Sequence, residues 1–132
     1  MRPALLKQNL PQSKNKTGAI GESIAVAYLI HHKFQILERN FKIRYGEIDI
    51  VALDKSTLVF VEVKTRRNDV YGSPESSVNS YKLREVIRTG YLYAARHPEY
   101  PKSLRVDVIA ILLHPTDNSL ISLRYIKNVT GG

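Results

Sequence analysis

The chain has 132 residues, 43% of them hydrophobic, which suits one domain with a real core. It has no cysteine, which excludes disulfides, thiolate zinc sites and a cysteine nucleophile. Twenty Lys and Arg against 12 Asp and Glu leave a net charge of +8, a balance that favours anionic partners, nucleic acid first.

Residues 1–16 hold two prolines, many polar side chains and no sustained period, and are expected to form a flexible basic arm. Residues 1–20 carry Arg2, Lys7, Lys14 and Lys16 and no acid, so half of the net charge lies there. One domain is expected over residues 17–130. Thr17 is a plausible N-cap for a helix to about His32, apolar over most of its circumference and so expected to be largely buried. Its apolar run, Ile24 to Ile30, is shorter than the roughly 18 residues of a membrane span and too far inside for a cleaved signal. A soluble cytoplasmic protein is the default. His31 and His32 sit at the helix end, where a histidine favours the dipole more often than it binds metal.

Three strands follow: Phe34 to Phe41, Glu47 to Leu53 and Leu58 to Thr65, with Tyr45-Gly46 and Asp54 to Thr57 as turns. After a charged loop, Ser73-Pro74 opens the next helical region. It continues with a stripe at Leu83, Val86, Ile87, Gly90 and Ala94 and ends before Pro98. Leu104 to Leu113 and Ser119 to Lys127 are the last two strands. The order α-β-β-β-α-β-β reads as an α/β domain, a mixed five-stranded sheet flanked by helices. The long helix between strands three and four suits a crossover connection.

Side chains alternate along a strand, so Glu47, Asp49 and Val51 should share a face of the second strand, and Phe60, Glu62 and Lys64 a face of the third. If Lys55-Ser56 is the hairpin tip, Asp49 falls opposite Glu62 and Glu47 opposite Lys64. Two facing carboxylates repel, and a shared proton or a divalent cation would offset that. Hard carboxylate oxygens suit Mg²⁺ or Mn²⁺, and a flanking lysine suits a phosphodiester substrate. The competing reading is a solvated hairpin with a Glu47–Lys64 cross-strand ion pair. Against it, both strands are rich in Val, Ile and Phe on both faces, as central strands are. Glu22 adds a carboxylate on a helix face shared with Ala25, Val26 and Leu29. It is either a first-turn glutamate favoured by the dipole or one more ligand for the same cation.

Gly21-Glu22, Gly46-Glu47-Ile48-Asp49 and Phe60-Val61-Glu62-Val63-Lys64 resemble the YraN-like family of small bacterial proteins. Asn40, Tyr71-Gly72-Ser73-Pro74, Lys82 and Arg105-Val106-Asp107 match further landmarks, and the resemblance covers roughly residues 18 to 127. The family is similar to the restriction-endonuclease-like superfamily and to archaeal Holliday junction resolvases. Their signature is an acid on one strand and acid-x-lysine on the next. The resemblance implies that fold, with Asp49 and Glu62 holding Mg²⁺ or Mn²⁺, Glu22 completing the metal shell, and Lys64 catalytic. Lys82 would be a further polar active-site residue. Ile48 stands where the superfamily motif has proline, and Val106 where the family usually has an aromatic. Arg105 and Asp107 read first as a structural ion pair.

The leading functional expectation is a divalent-metal-dependent endonuclease acting on structured or branched DNA, with a homodimer as the analogy to resolvases. The second is a nucleic-acid-binding module that keeps the fold without cutting. Lys14, Lys16, Arg66, Arg67, Lys82, Arg84 and Arg88 would then make phosphate contacts. Tyr45, Tyr71 and Tyr81 are the aromatic residues placed for base stacking. A third reading, an interaction protein whose arm docks an acidic partner, leaves the carboxylates unexplained.

Overall fold

The computed structural model describes residues 16–67 and 80–130. Helix α1 (Lys16–His31) leads into β1 (Gln35–Ile43), β2 (Gly46–Asp54) and β3 (Thr57–Arg66). Helix α2 (Ser80–Arg96) then precedes β4 (Ser103–Leu113) and β5 (Leu120–Ile126). The five strands lie in the order β1-β2-β3-β4-β5. Strands β3 and β4 are parallel, joined through α2, and the other three pairings are antiparallel. The expected order of elements, the mixed sheet and the crossover are all present. The arm at 1–15, Tyr71 and the Ser73-Pro74 helix start lie outside the described residues, and Lys16 is the first residue of α1 rather than the last of the arm.

The sheet buries both faces, which explains the near-continuous apolar runs of its central strands. On one side Ala25 and Leu29 of α1 pack on Ile50, Ala52, Val59, Val61, Ile109 and Ile111. On the other, Val86 and Tyr93 of α2 pack on Ile48, Val51, Leu58, Phe60 and Val106. Helix α1 is less buried than its composition suggests. Gly21, Glu22, Ala25 and Leu29 are its buried residues, and Ile30 is 56% exposed. One helix lying flat on a sheet can bury one stripe, however apolar its other sides are. At its end the ring of His32 donates from Nδ1 to the Tyr28 carbonyl at 2.9 Å, the expected C-terminal role. Among the described residues no helix is long and apolar enough to cross a membrane.

Close approach of α1 to β3 depends on Gly21. A Cβ there would lie 1.9 Å from Thr65 Oγ1 and 2.8 Å from Thr65 Cβ. Gly21→Ala is therefore expected to destabilise the fold by about 1–3 kcal/mol through overpacking, read as a lower urea midpoint. Thr65→Ala in the same chain should recover part of the loss. No loss in the single variant would mean that α1 can lift from the sheet without penalty.

Candidate functional site

The β2–β3 hairpin keeps the expected register from its tip inward. Asp54 pairs with Thr57, and the ladder runs to Ile50 opposite Val61. Lys55, in the two-residue tip, takes φ 56°, the left-handed conformation such turns require. Beyond Ile50 the register does not continue, so Asp49 is not a ladder partner of Glu62, nor Glu47 of Lys64. The side-chain alternation of β2 also resets here. Ile48 and Val51 enter the α2-side core, whereas Ile50 and Ala52 enter the α1-side core. Val51 packs on the α2 side and Glu47 lines a groove against α2, as the expected common face requires, so the break in alternation falls at Ile48.

An irregularity in both strands is the physical reason. Strand β1 shifts register between Ile36 and Glu38, and Asn40 has φ 55°. Asparagine tolerates this left-handed backbone better than most residues. Asn40 lies between the pairs Arg39–Ile50 and Phe41–Ile48, level with Asp49. Where β2 and β3 part, a side chain replaces a backbone carbonyl: the Val63 N–H donates to Asp49 Oδ2 at 2.8 Å. An ionised carboxylate accepts at two oxygens, so this bond orients Asp49 without exhausting it.

Asp49 is 6% exposed and Glu62 3%. They act on each other electrostatically although the ladder does not pair them. Burial first, and the Asp49 charge second, push the Glu62 carboxyl up to about 8. Lys82 and Lys64 pull it the other way, and Glu47 adds a smaller push upward. Strand β3 thus carries Glu62 and Lys64 on the face covered by α2, as alternation requires. Lys82, on the first turn of α2, reaches the same field and also meets Glu85 at 3.9 Å.

Glu22 is 2% exposed and comes from the other side of the sheet. Asn40 Nδ2 donates to its Oε1 at 3.5 Å, and Arg39 Nε lies 3.8 Å from its Oε2. Asn40 therefore ties the α1 carboxylate to the level of Asp49. Arg39 and Asn40 were not recognisable as partners of Glu22 in the sequence. The one local signal was an asparagine inside a strand, where that residue is uncommon.

The expected phosphate-binding side chains are distributed. Arg66 and Arg67 follow Lys64 at the end of β3, where Arg66 donates to the Thr65 carbonyl at 3.3 Å and Arg67 to that of Pro115. Arg84 and Arg88 are exposed on α2, and Lys16 is exposed at the start of α1. Lys14 lies outside the described residues.

The sequence profile of a family described as "Uncharacterised protein family UPF0102" matches residues 21–111, which include every motif of the site from Gly21-Glu22 to Arg105-Val106-Asp107. The chain belongs to the UPF0102 family. A UPF0102 protein of Geobacter metallireducens is 49% identical over 94 residues, covering 71% of this chain and 77% of the relative. One from Geotalea daltonii is 43% identical over 118 residues, covering 89% and 91%. One from Clostridium botulinum is 44% identical over 112 residues, covering 84% and 90%. The likeness to UPF0102 relatives thus extends over most of both chains, and the family expected from the motifs is borne out.

Proposed function

We propose that the protein is a divalent-metal-dependent endonuclease hydrolysing phosphodiester bonds in structured or branched DNA. The observation that carries this reading is the Asp49–Glu62 pair, buried where β2 and β3 separate, with Lys64 two residues on and on the face of Glu62. Buried carboxylates are rare unless paired or bound to a cation. The donor set is all hard oxygen, which fits Mg²⁺ or Mn²⁺. When bound, such a cation supplies Lewis acidity toward the phosphate and its attacking water.

Asp49 and Glu62 would hold the cation, with the Val63 N–H fixing the Asp49 carboxylate in place. Glu22 is the candidate third ligand, brought to the level of Asp49 by Asn40. Lys64 would place a positive charge against the scissile phosphate and orient the attacking water. Lys82 would hold a neighbouring phosphate oxygen. The test is a gel assay on four-way junction, flap and duplex DNA with Mg²⁺ or Mn²⁺. Asp49→Ala, Glu62→Ala and Lys64→Ala should each lower the cleavage rate by at least about a hundredfold. Cleavage that persists in Asp49→Ala would remove this site from consideration.

A second reading keeps the fold as a nucleic-acid-binding module. It is favoured by one observation: Lys16, Arg84 and Arg88 are exposed on a chain of net charge +8. Binding would then fall steeply with salt and ignore Asp49→Ala.

A further inference from the structure

A groove of about 480 Å³ opens between the β1–β2 turn and the first turns of α2, within the size range of small-ligand sites. Tyr45 and Tyr81 both line it and are 72% and 71% exposed. Two large aromatic faces left in water at one concavity are a feature that folding alone does not explain. Lys42, Arg44 and Arg88 line the same groove. Arg44 lies over the Tyr45 ring, 5.3 Å from its centroid, and Arg88 donates to the Tyr45 carbonyl at 3.1 Å. The turn is therefore anchored to α2. Gly46 lets the two elements meet, since a Cβ there would lie 2.0 Å from Thr89 Oγ1. Two acids, Glu47 and Glu85, also line the groove, and Glu85 is already engaged by Lys82.

Glu47 gives the groove its place. It lines the cavity and lies two residues before Asp49 on β2, so the groove adjoins the strand segment that carries Asp49.

From these contacts we infer that the groove binds unpaired nucleotides of a nucleic-acid strand, stacking bases on Tyr45 and Tyr81 while Lys42, Arg44 and Arg88 meet the phosphates. Bases in a duplex have their faces covered by their neighbours, so an exposed ring can stack on a base that is unpaired or at an end. A strand followed through the groove reaches the Asp49–Glu62 site, so the substrate is one with a single-stranded segment beside the scissile bond. This deepens the nuclease reading and rests on it for the cleavage step, but not for binding.

The test separates the two. Fluorescence anisotropy in EDTA would compare a labelled twelve-nucleotide oligothymidylate with a blunt twelve-base-pair duplex. The unpaired strand should bind more tightly, and Tyr45→Ala and Tyr81→Ala should each weaken it about tenfold while leaving duplex binding nearly unchanged. Tyr45→Phe and Tyr81→Phe keep the ring and should bind as the wild type does. Equal affinity for strand and duplex, or alanine variants that bind the strand normally, would overturn the inference. Cleavage with Mg²⁺ is scored separately, so a protein that never cuts defeats the nuclease reading and leaves the EDTA result to decide this one.

Discussion

Asp107→Ala is expected to destabilise the protein by about 3–5 kcal/mol, the usual effect of removing one partner of a buried ion pair. Asp107 is fully buried on β4 and accepts four groups. Arg105 donates to it from Nε at 3.0 Å and from Nη2 at 3.1 Å. The Asn128 N–H donates at 2.8 Å, and the Tyr125 hydroxyl completes the set. Arg105 also donates from Nη2 to Asp54 at 2.8 Å, so the network joins β4 to the β2–β3 turn, to β5 and to the segment after it. Burial alone would lower the Arg105 pKa, yet its bonds to Asp107 and Asp54 hold it above its ordinary value. Burial, and then the bond to Asp107, likewise push the Tyr125 hydroxyl up. Alanine at 107 would leave Arg105, Tyr125 and the Asn128 amide short of a partner together. Asp54→Ala, at a side chain one-quarter exposed, should lose no more than about 1 kcal/mol. Urea midpoints at constant m-value would measure both. A loss below 1 kcal/mol for Asp107→Ala would mean that water or rearranged neighbours replace it readily.

That network shows how far the sequence could be read. Arg105 and Asp107 are two apart on a strand and so face the same side, which made a structural ion pair legible, and the structure bears it out. Tyr125 and the Asn128 amide were not legible, because nothing local marks which later residues return to β4. The hairpin tip at Lys55-Ser56 was legible for the opposite reason: its register depends on a few adjacent residues. The parting of β2 and β3 at Asp49 depends on β1, where Asn40 and the shift near Glu38 twist the neighbouring strand. Alternation assumes a regular ladder, so it placed Asp49 directly across from Glu62 and erred by the width of that irregularity. The acid-x-lysine pattern on β3 survived, since Leu58 to Lys64 has no such break. Tyr45 and Tyr81 lie 36 positions apart in the sequence, and their shared groove exists through the docking of α2 on the β1–β2 turn.

Glu62→Gln is expected to raise the stability of the metal-free protein, increasingly so as pH rises from 5 to 8. The sign follows from the direction of the shift. The folded-state pKa of Glu62 is raised to about 8 from an ordinary 4.5, chiefly by burial and then by Asp49. Below about pH 4.5 both folded and unfolded chains hold the proton, and the contribution of Glu62 is fully present. Between 4.5 and 8 the folded chain keeps a proton that the unfolded chain has released, so stability falls as pH rises, by about 1.4 kcal/mol per pH unit at most. Above 8 the loss is complete. Glutamine fills the same volume, carries no titrating proton and should escape the decline. At pH 7 in EDTA its advantage should be on the order of 3 kcal/mol, or roughly 10 °C in Tm. Divalent cation should then reverse the ranking, because a ligand bound to the folded state stabilises it by mass action and the glutamine variant lacks the charge that holds it. Melting curves at pH 5, 7 and 8, in EDTA and in Mg²⁺ or Mn²⁺, give all the comparisons. Parallel pH profiles for wild type and variant would show that Glu62 is not held protonated. A glutamine advantage in EDTA that added cation leaves untouched would confirm the buried carboxylate while removing it as a metal ligand.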